Sequence, residues 1–157
     1  MYKKICVVIN PDSREAMDLY EELLFKFTKN SFQLLDNFKN IEEMDLVVAI
    51  GGDGTLLKAV SVAVKFDIPV MGINMGTVGF MTDVEGNKAI SEFQNYLDGV
   101  RIEQRSMLEV EFKIDNKNHT YKALNDIVIA RGASVSMVET IVEIDKVHLA
   151  TYRGDGI

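Results

Sequence analysis

The hydrophobic period of the chain changes once along its length. Up to about residue 100, short apolar runs alternate with stretches whose apolar residues recur every three or four positions. Ile5–Ile9 is a continuous apolar run and reads as a buried strand. Ser13 opens a helical stretch carrying Ala16, Leu19, Tyr20, Leu23, Leu24 and Phe27 at helical spacing. Phe32–Leu35 is a short strand candidate, and Asp45–Ile50 is a clear strand bounded by Gly51-Gly52. Thr55–Phe66 reads as a helix with Leu56, Ala59, Val60 and Ala63 on one face. Ile68–Ile73 is another strand, whose Pro69 suits only its first positions. Lys88–Leu97 reads as a helix stopped by Asp98-Gly99. Strands alternating with helices predict parallel pairing through crossover helices, a Rossmann-like α/β layer.

Beyond residue 100 the period becomes two. Leu108, Val110, Phe112 and Ile114 alternate with Glu109, Glu111 and Lys113, the pattern of a half-buried strand. Asn116-Lys117-Asn118 is a hairpin-turn candidate. Leu124–Ala130, Val138–Ile144 and Val147–Tyr152 follow as strands, with a tight turn at Asp145-Lys146. The expected organisation is therefore an α/β domain over residues 1–100 and the start of an antiparallel β-sandwich over 101–157.

Composition narrows the class. Of 157 residues, 47% are apolar and 26% charged, as in a globular protein with a real core. A single cysteine excludes a disulfide framework and a cysteine-based zinc site, so Cys6 is expected to be a small core residue. The net charge of −7 argues against nucleic acid as a partner, because that affinity rests on phosphate neutralisation. The acidity lies mostly in the first part. Residues 1–100 carry 9 basic and 15 acidic groups, net −6, and residues 101–157 carry 8 and 9, net −1. No apolar run reaches 18 residues, so no membrane span is expected. The lysines and apolar run at the N-terminus end at Asn10-Pro11-Asp12 without a small-residue cleavage site. That favours a first strand over a signal peptide, and a cytoplasmic location.

The chemistry concentrates where the glycines do. Six of eleven glycines lie between positions 51 and 79, in two loops that each follow a predicted strand. Gly51-Gly52-Asp53-Gly54-Thr55 stands directly before a predicted helix. Glycines there let a ligand approach the backbone, and a helix N-terminus seats phosphate. The loop lacks the lysine of a Walker A motif and the spacing of G-x-G-x-x-G. A carboxylate beside bound phosphate costs about 4 kcal/mol at 4 Å with an effective dielectric near 20. Asp53 therefore points to proton removal from an attacking hydroxyl or to Mg²⁺ binding, or else to a helix N-cap. In the second loop, Gly72 to Asp83, Asn74 is placed to hydrogen-bond a sugar or amide, or to make a turn. Phe80 stacks on a base, or belongs to the core. Asn125-Asp126 interrupts an apolar strand and suits paired ribose hydroxyls, or a bulge or turn cap. Arg153-Gly154-Asp155-Gly156 is a charged, glycine-punctuated turn. His119 and His148 have no metal-ligand spacing and read as surface or packing residues.

Four motifs occur in a fixed order. They are Gly51-Gly52-Asp53-Gly54-Thr55, Gly72-x-Asn74-x-Gly76-x-x-Gly79-Phe80-x-Thr82-Asp83, Leu124-Asn125-Asp126 and Arg153-Gly154-Asp155-Gly156. The set resembles the bacterial NAD kinase family along the whole chain. The first loop alone is also similar to diacylglycerol, sphingosine and 6-phosphofructo-type kinases. The resemblance implies ATP-dependent phosphorylation of the adenosine 2′-hydroxyl of NAD, with Mg²⁺. It makes Asp53 the proton acceptor, has Gly52 and Gly54 line the nucleotide site, and puts Lys58 near phosphate or ribose. Asn74 and Phe80 fall near the adenine, and Asn125 and Asp126 bind NAD, with Asp where Glu is frequent. Arg153 and Asp155 contact the nicotinamide or adenosine end, sometimes from a neighbouring subunit, which implies a homo-oligomer, dimer or tetramer. Thr77 stands where the family often has a basic residue. The family pattern continues beyond the Arg-Gly-Asp-Gly turn into a Ser/Thr-rich segment, so residues 101–157 are expected to be part of a longer β domain. The alternatives are a related lipid kinase and a nucleotide-binding fragment inactive without that segment.

Overall fold

The computed structural model describes residues 2–34, 40–76, 81–82, 84–99, 102–133 and 135–157. Thr77 and Phe80 lie outside these residues. The chain forms two compact units, Met1–Arg105 and Ser106–Ile157.

The first unit is a five-stranded parallel sheet. Its strands are β1 (Lys4–Ile9), β2 (Ser31–Leu34), β3 (Leu46–Gly51), β4 (Val70–Asn74) and β5 (Val84–Glu85), ordered β2-β1-β3-β4-β5. Helix α1 (Arg14–Lys26) connects β1 to β2, α2 (Asp53–Ala63) connects β3 to β4, and α3 (Gly86–Leu97) follows β5. Alternate residues of each strand face opposite ways, and both faces are apolar. Ile5 and Val7 pack with Ala16, Leu19 and Leu23 of α1 and with Phe93 and Leu97 of α3. Cys6 and Val8 pack with Leu56, Ala59 and Ala63 of α2. The continuous apolar runs seen in the sequence are strands covered on both faces, as parallel sheets require. Phe93 anchors the first layer, with Phe27 and Phe32 at centroid distances of 4.9 and 6.1 Å. Cys6 is fully buried, and burial pushes its thiol up to about 11, so it is an inert core residue at neutral pH.

Local chemistry sets the element ends. The Ser13 side chain caps α1 by accepting the Ala16 N–H at 3.2 Å. Gly99, at φ +71°, stops α3. The short strand β5 is absent from the sequence reading, since two residues carry no period.

Asp45 pins the start of β1. Its Oδ2 accepts the N–H of Lys3 at 2.8 Å and of Lys4 at 2.9 Å. These bonds, that from Lys4 foremost, hold its carboxyl below the ordinary carboxylate range. A lowered folded-state pKa gives stability that is present above the unfolded value, about 3.9, and is lost as pH falls below it. We expect Asp45→Asn to lower stability by about 1 kcal/mol at pH 7, a figure kept small because the group is solvent-exposed. Urea midpoints of the two proteins should converge below about pH 4.

The second unit contains two antiparallel hairpins, β6 (Leu108–Ile114) with β7 (Lys117–Ala123) and β8 (Val138–Ile144) with β9 (Val147–Gly154). The first turn is Asp115-Asn116 and not 116–118. Both residues have positive φ, 49° and 61°, as a two-residue turn needs, and Asp and Asn tolerate that conformation. Lys117 is thereby released to pair with Ile114. The strand expected over 124–130 is not formed. Its partner β6 begins at Leu108, opposite Ala123, so the ladder ends there and the chain bends at 124–125. The strands alternate as expected, but Leu108, Phe112 and Ile114 are exposed rather than half-buried. Phe112 instead stacks on His119 and Tyr121 of β7, at 5.3 and 5.6 Å. No helix among the described residues is long and apolar enough to cross a membrane.

Candidate functional site

The strand order 2-1-3-4-5 changes direction between β1 and β3. In such sheets ligands bind outside the carboxyl ends of the strands, near that switch. Both glycine loops leave the sheet there. Gly51 is the register partner of Asn74, and the Met75 N–H donates to the Gly51 carbonyl at 3.2 Å. The two loops therefore emerge side by side, as their positions after successive strands predicted.

The first loop is shorter than the sequence suggested, because α2 begins at Asp53 and not at Thr55. Gly52 is the N-cap residue and makes no side-chain cap bond, so Asp53 is not the cap. Its carboxylate is directed elsewhere: Oδ1 accepts the Met81 N–H at 3.3 Å, from the far end of the second loop. A half-buried carboxylate at the positive end of a helix thus ties the loops together.

The glycines divide by physical role. A Cβ on Gly51 would run into the Thr55 hydroxyl, and one on Gly72 would press on Leu56 and Thr82 at 3.2 Å, so packing demands both. Gly52, Gly54 and Gly76 have nothing within 4 Å of such a Cβ and no positive φ. Neither packing nor backbone conformation explains them. They leave open backbone at the mouth of the site, on which a ligand can lie closely. Lys58 is exposed on α2, one turn beyond Gly54 and about 140° around the helix from Asp53. It shares the face of Gly54 and not that of the carboxylate.

Asn74 is buried at 8% exposure, and its Oδ1 accepts the Gly76 N–H at 3.1 Å, forming a turn that shapes the second loop. Asn74, Gly76, Glu85 and Gly86 line a concavity at the ends of β4 and β5. Among the described residues, the buried Thr82 hydroxyl has no hydrogen-bond partner. Phe80 is among the residues not described. Among the described residues, no three His, Cys, Asp or Glu side chains cluster as a metal site.

Asn125, Asp126, Arg153 and Asp155 all belong to the second unit. Asn125 and Asp126 are both exposed in the bend after β7, where a strand would have turned one of them inward. Arg153 lies in β9 opposite Glu139 and lines a shallow concavity with Tyr152, Leu149 and Val142. The Asp155 carboxylate pairs with Arg131 at 2.8 Å. Arg131 was missed in the sequence, where a lone arginine after an apolar run carries no spacing signal.

Comparison with known proteins gives the chain's relatives and its fold. The family model described as the ATP-NAD kinase N-terminal domain matches residues 29–101. NAD kinase of Fusobacterium nucleatum is 32% identical, with 98% of this chain and 57% of that protein aligned. NAD kinase of Acidobacterium capsulatum is 36% identical, over 99% of this chain and 61% of that protein. NAD kinase of Natranaerobius thermophilus is 37% identical, over 74% of this chain and 41% of that protein. The chain therefore spans about half the length of the curated relatives it matches. The crystal structure of an NAD kinase from Archaeoglobus fulgidus in complex with ATP superposes with a TM-score of 0.73 at 25% identity, covering 98% of this chain and 58% of that one. Yeast NADH kinase complexed with NADH shares the fold, with a TM-score of 0.77 at 23% identity over 98% of this chain and 56% of that one.

Proposed function

We propose, on the premise that this chain belongs to the NAD kinase family, that the protein transfers the γ-phosphoryl group of ATP to the adenosine 2′-hydroxyl of NAD. The observation that carries this is the Asp53 carboxylate, held at the start of α2 by the Met81 N–H where the two glycine loops emerge together. In this reading Asp53 takes the proton of the 2′-hydroxyl as its oxygen attacks the γ-phosphorus. The P–O bond to ADP breaks in line, and NADP and ADP are released. Open backbone at Gly52 and Gly54 lets phosphate or ribose come close, and Lys58, on the face of Gly54, balances anionic charge. Asn74 and Phe80 flank the adenine. Asn125 and Asp126 bind the hydroxyls of NAD, and Arg153 and Asp155 contact its nicotinamide or adenosine end.

Mg²⁺ belongs to the same reading. It commonly takes one or two carboxylates and otherwise waters and substrate phosphates. Asp53, in the first turn of α2, is the acid placed to contribute a carboxylate to it. When bound, it neutralises charge on the transferring phosphate. A homo-oligomer, dimer or tetramer, and a cytoplasmic setting complete the proposal. The exposed apolar strands of the second unit support the first.

The test is formation of NADP from NAD with ATP or polyphosphate as donor, with diacylglycerol as a competing acceptor. Asn125→Ala is expected to raise the NAD KM about tenfold, the weight of one or two hydrogen bonds at about 1.4 kcal/mol per decade. Phosphorylation of the lipid with no NADP formed overturns the reading.

A further inference from the structure

We propose that Arg131 is a positioning residue for dinucleotide binding, holding and neutralising Asp155 so that the Asn125-Asp126 bend and the Arg153–Gly156 turn present one rigid surface. This rests on the NAD-phosphorylating reading above. After the bend at 124–125, the chain runs antiparallel to residues 155–157. The Ile129 N–H donates to the Ile157 carbonyl at 2.8 Å, the Ile157 N–H returns to the Ile129 carbonyl at 2.9 Å, and the Arg131 N–H donates to the Asp155 carbonyl at 2.9 Å. Gly156 makes this approach possible, because a Cβ there would run into the Ile129 carbonyl oxygen and lie 3.0 Å from the Ala130 Cα. The Arg153–Gly156 turn is thus zipped to residues 129–131, which follow the Asn125-Asp126 bend by a few residues.

Arg131 closes the zip with its side chain. Its Nε pairs with Asp155 Oδ1 at 2.8 Å, and its Nη1 donates to the Val135 carbonyl at 2.9 Å. Arg131 therefore grips Asp155 twice, through backbone and guanidinium. An isolated surface ion pair contributes little, because two long side chains must be ordered to form it. Here the backbone is already fixed and the Arg131 side chain is only 31% exposed, so little freedom is left to lose. The Asp155 side chain remains 77% exposed, which leaves carboxylate surface to accept a hydrogen bond from an amide or hydroxyl. Without the arginine, that carboxylate would repel the pyrophosphate of a dinucleotide. With it, Asp155 is an oriented acceptor in a neutral pair.

The experiment measures the Kd of NAD⁺ by titration calorimetry for wild type, Arg131→Ala, Arg131→Lys, Asp155→Asn and the Arg131→Ala/Asp155→Asn double variant, with ATP as the control ligand. Arg131→Ala is expected to raise the NAD⁺ Kd about tenfold and leave the ATP Kd unchanged. Arg131→Lys should recover part of the loss, since it keeps the charge but not the planar fork. The double variant should bind no worse than the weaker single variant. Wild type that binds NAD⁺ while Arg131→Ala binds it equally well overturns this inference and leaves the kinase reading intact. Multiplicative losses in the double variant likewise overturn it, since the two residues would then act separately. Wild type that fails to bind NAD⁺ overturns both.

Discussion

Asp53→Asn is expected to lower kcat for NADP formation by 10²- to 10⁴-fold, about 3–5 kcal/mol of transition-state stabilisation, with little change in folding. The separation comes from what the substitution keeps. Asparagine presents a carbonyl oxygen where the carboxylate accepts the Met81 N–H at 3.3 Å, so the tie between the loops survives. It cannot take a proton at neutral pH. Asp53→Ala removes both functions, and should lose the same activity and about 1–2 kcal/mol of stability as well. The readouts are steady-state rates with both substrates varied, and urea unfolding of all three proteins. If Asp53→Asn keeps wild-type kcat, the carboxylate is an anchor for Met81 and nothing more. The experiment discriminates because the structure removes the simplest alternative, a helix cap, by giving that place to Gly52.

The α/β layer was legible because its strands are covered on both faces. Val47, Val48, Ala49 and Ile50 are all buried, so the run is continuous in the sequence as well as in space. The second unit was legible in period but not in ladder ends. Nothing in Leu124–Ala130 announces that β6 begins only at Leu108, so that the segment cannot extend β7 and pairs only at its end, with residues 155–157. The hairpin turn was misplaced by one residue for a similar reason, because Asp115, Asn116 and Asn118 are all competent turn formers. The glycine loops were visible as a cluster, while their division into packing glycines and open ones was not. That division depends on whether Thr55 or Thr82 stands opposite, which only coordinates tell. Arg131 was invisible because its partner lies 24 residues on, across a hairpin.

Gly54→Ala tests whether the open glycines serve a ligand, and its two readouts should move in opposite directions. Gly54 is the second residue of α2, has no positive φ, and has nothing within 4 Å of a built Cβ. Alanine there meets no atom of the protein and removes freedom from the unfolded chain. Stability should rise by about 0.5 kcal/mol, a gain of about 1–2 °C in Tm. The new methyl stands where the proposed phosphate or ribose lies against the backbone. Displacing a reactant by about 1 Å costs about a hundredfold in rate, so kcat/KM should fall by that order. Gly51→Ala is the contrasting case, because its methyl meets Thr55 inside the protein and stability and activity should fall together. A loss of function that accompanies a gain in stability cannot come from damaged packing. A Gly54→Ala protein that is both more stable and fully active would mean that no ligand uses this backbone, and would move the nucleotide site away from the first glycine loop.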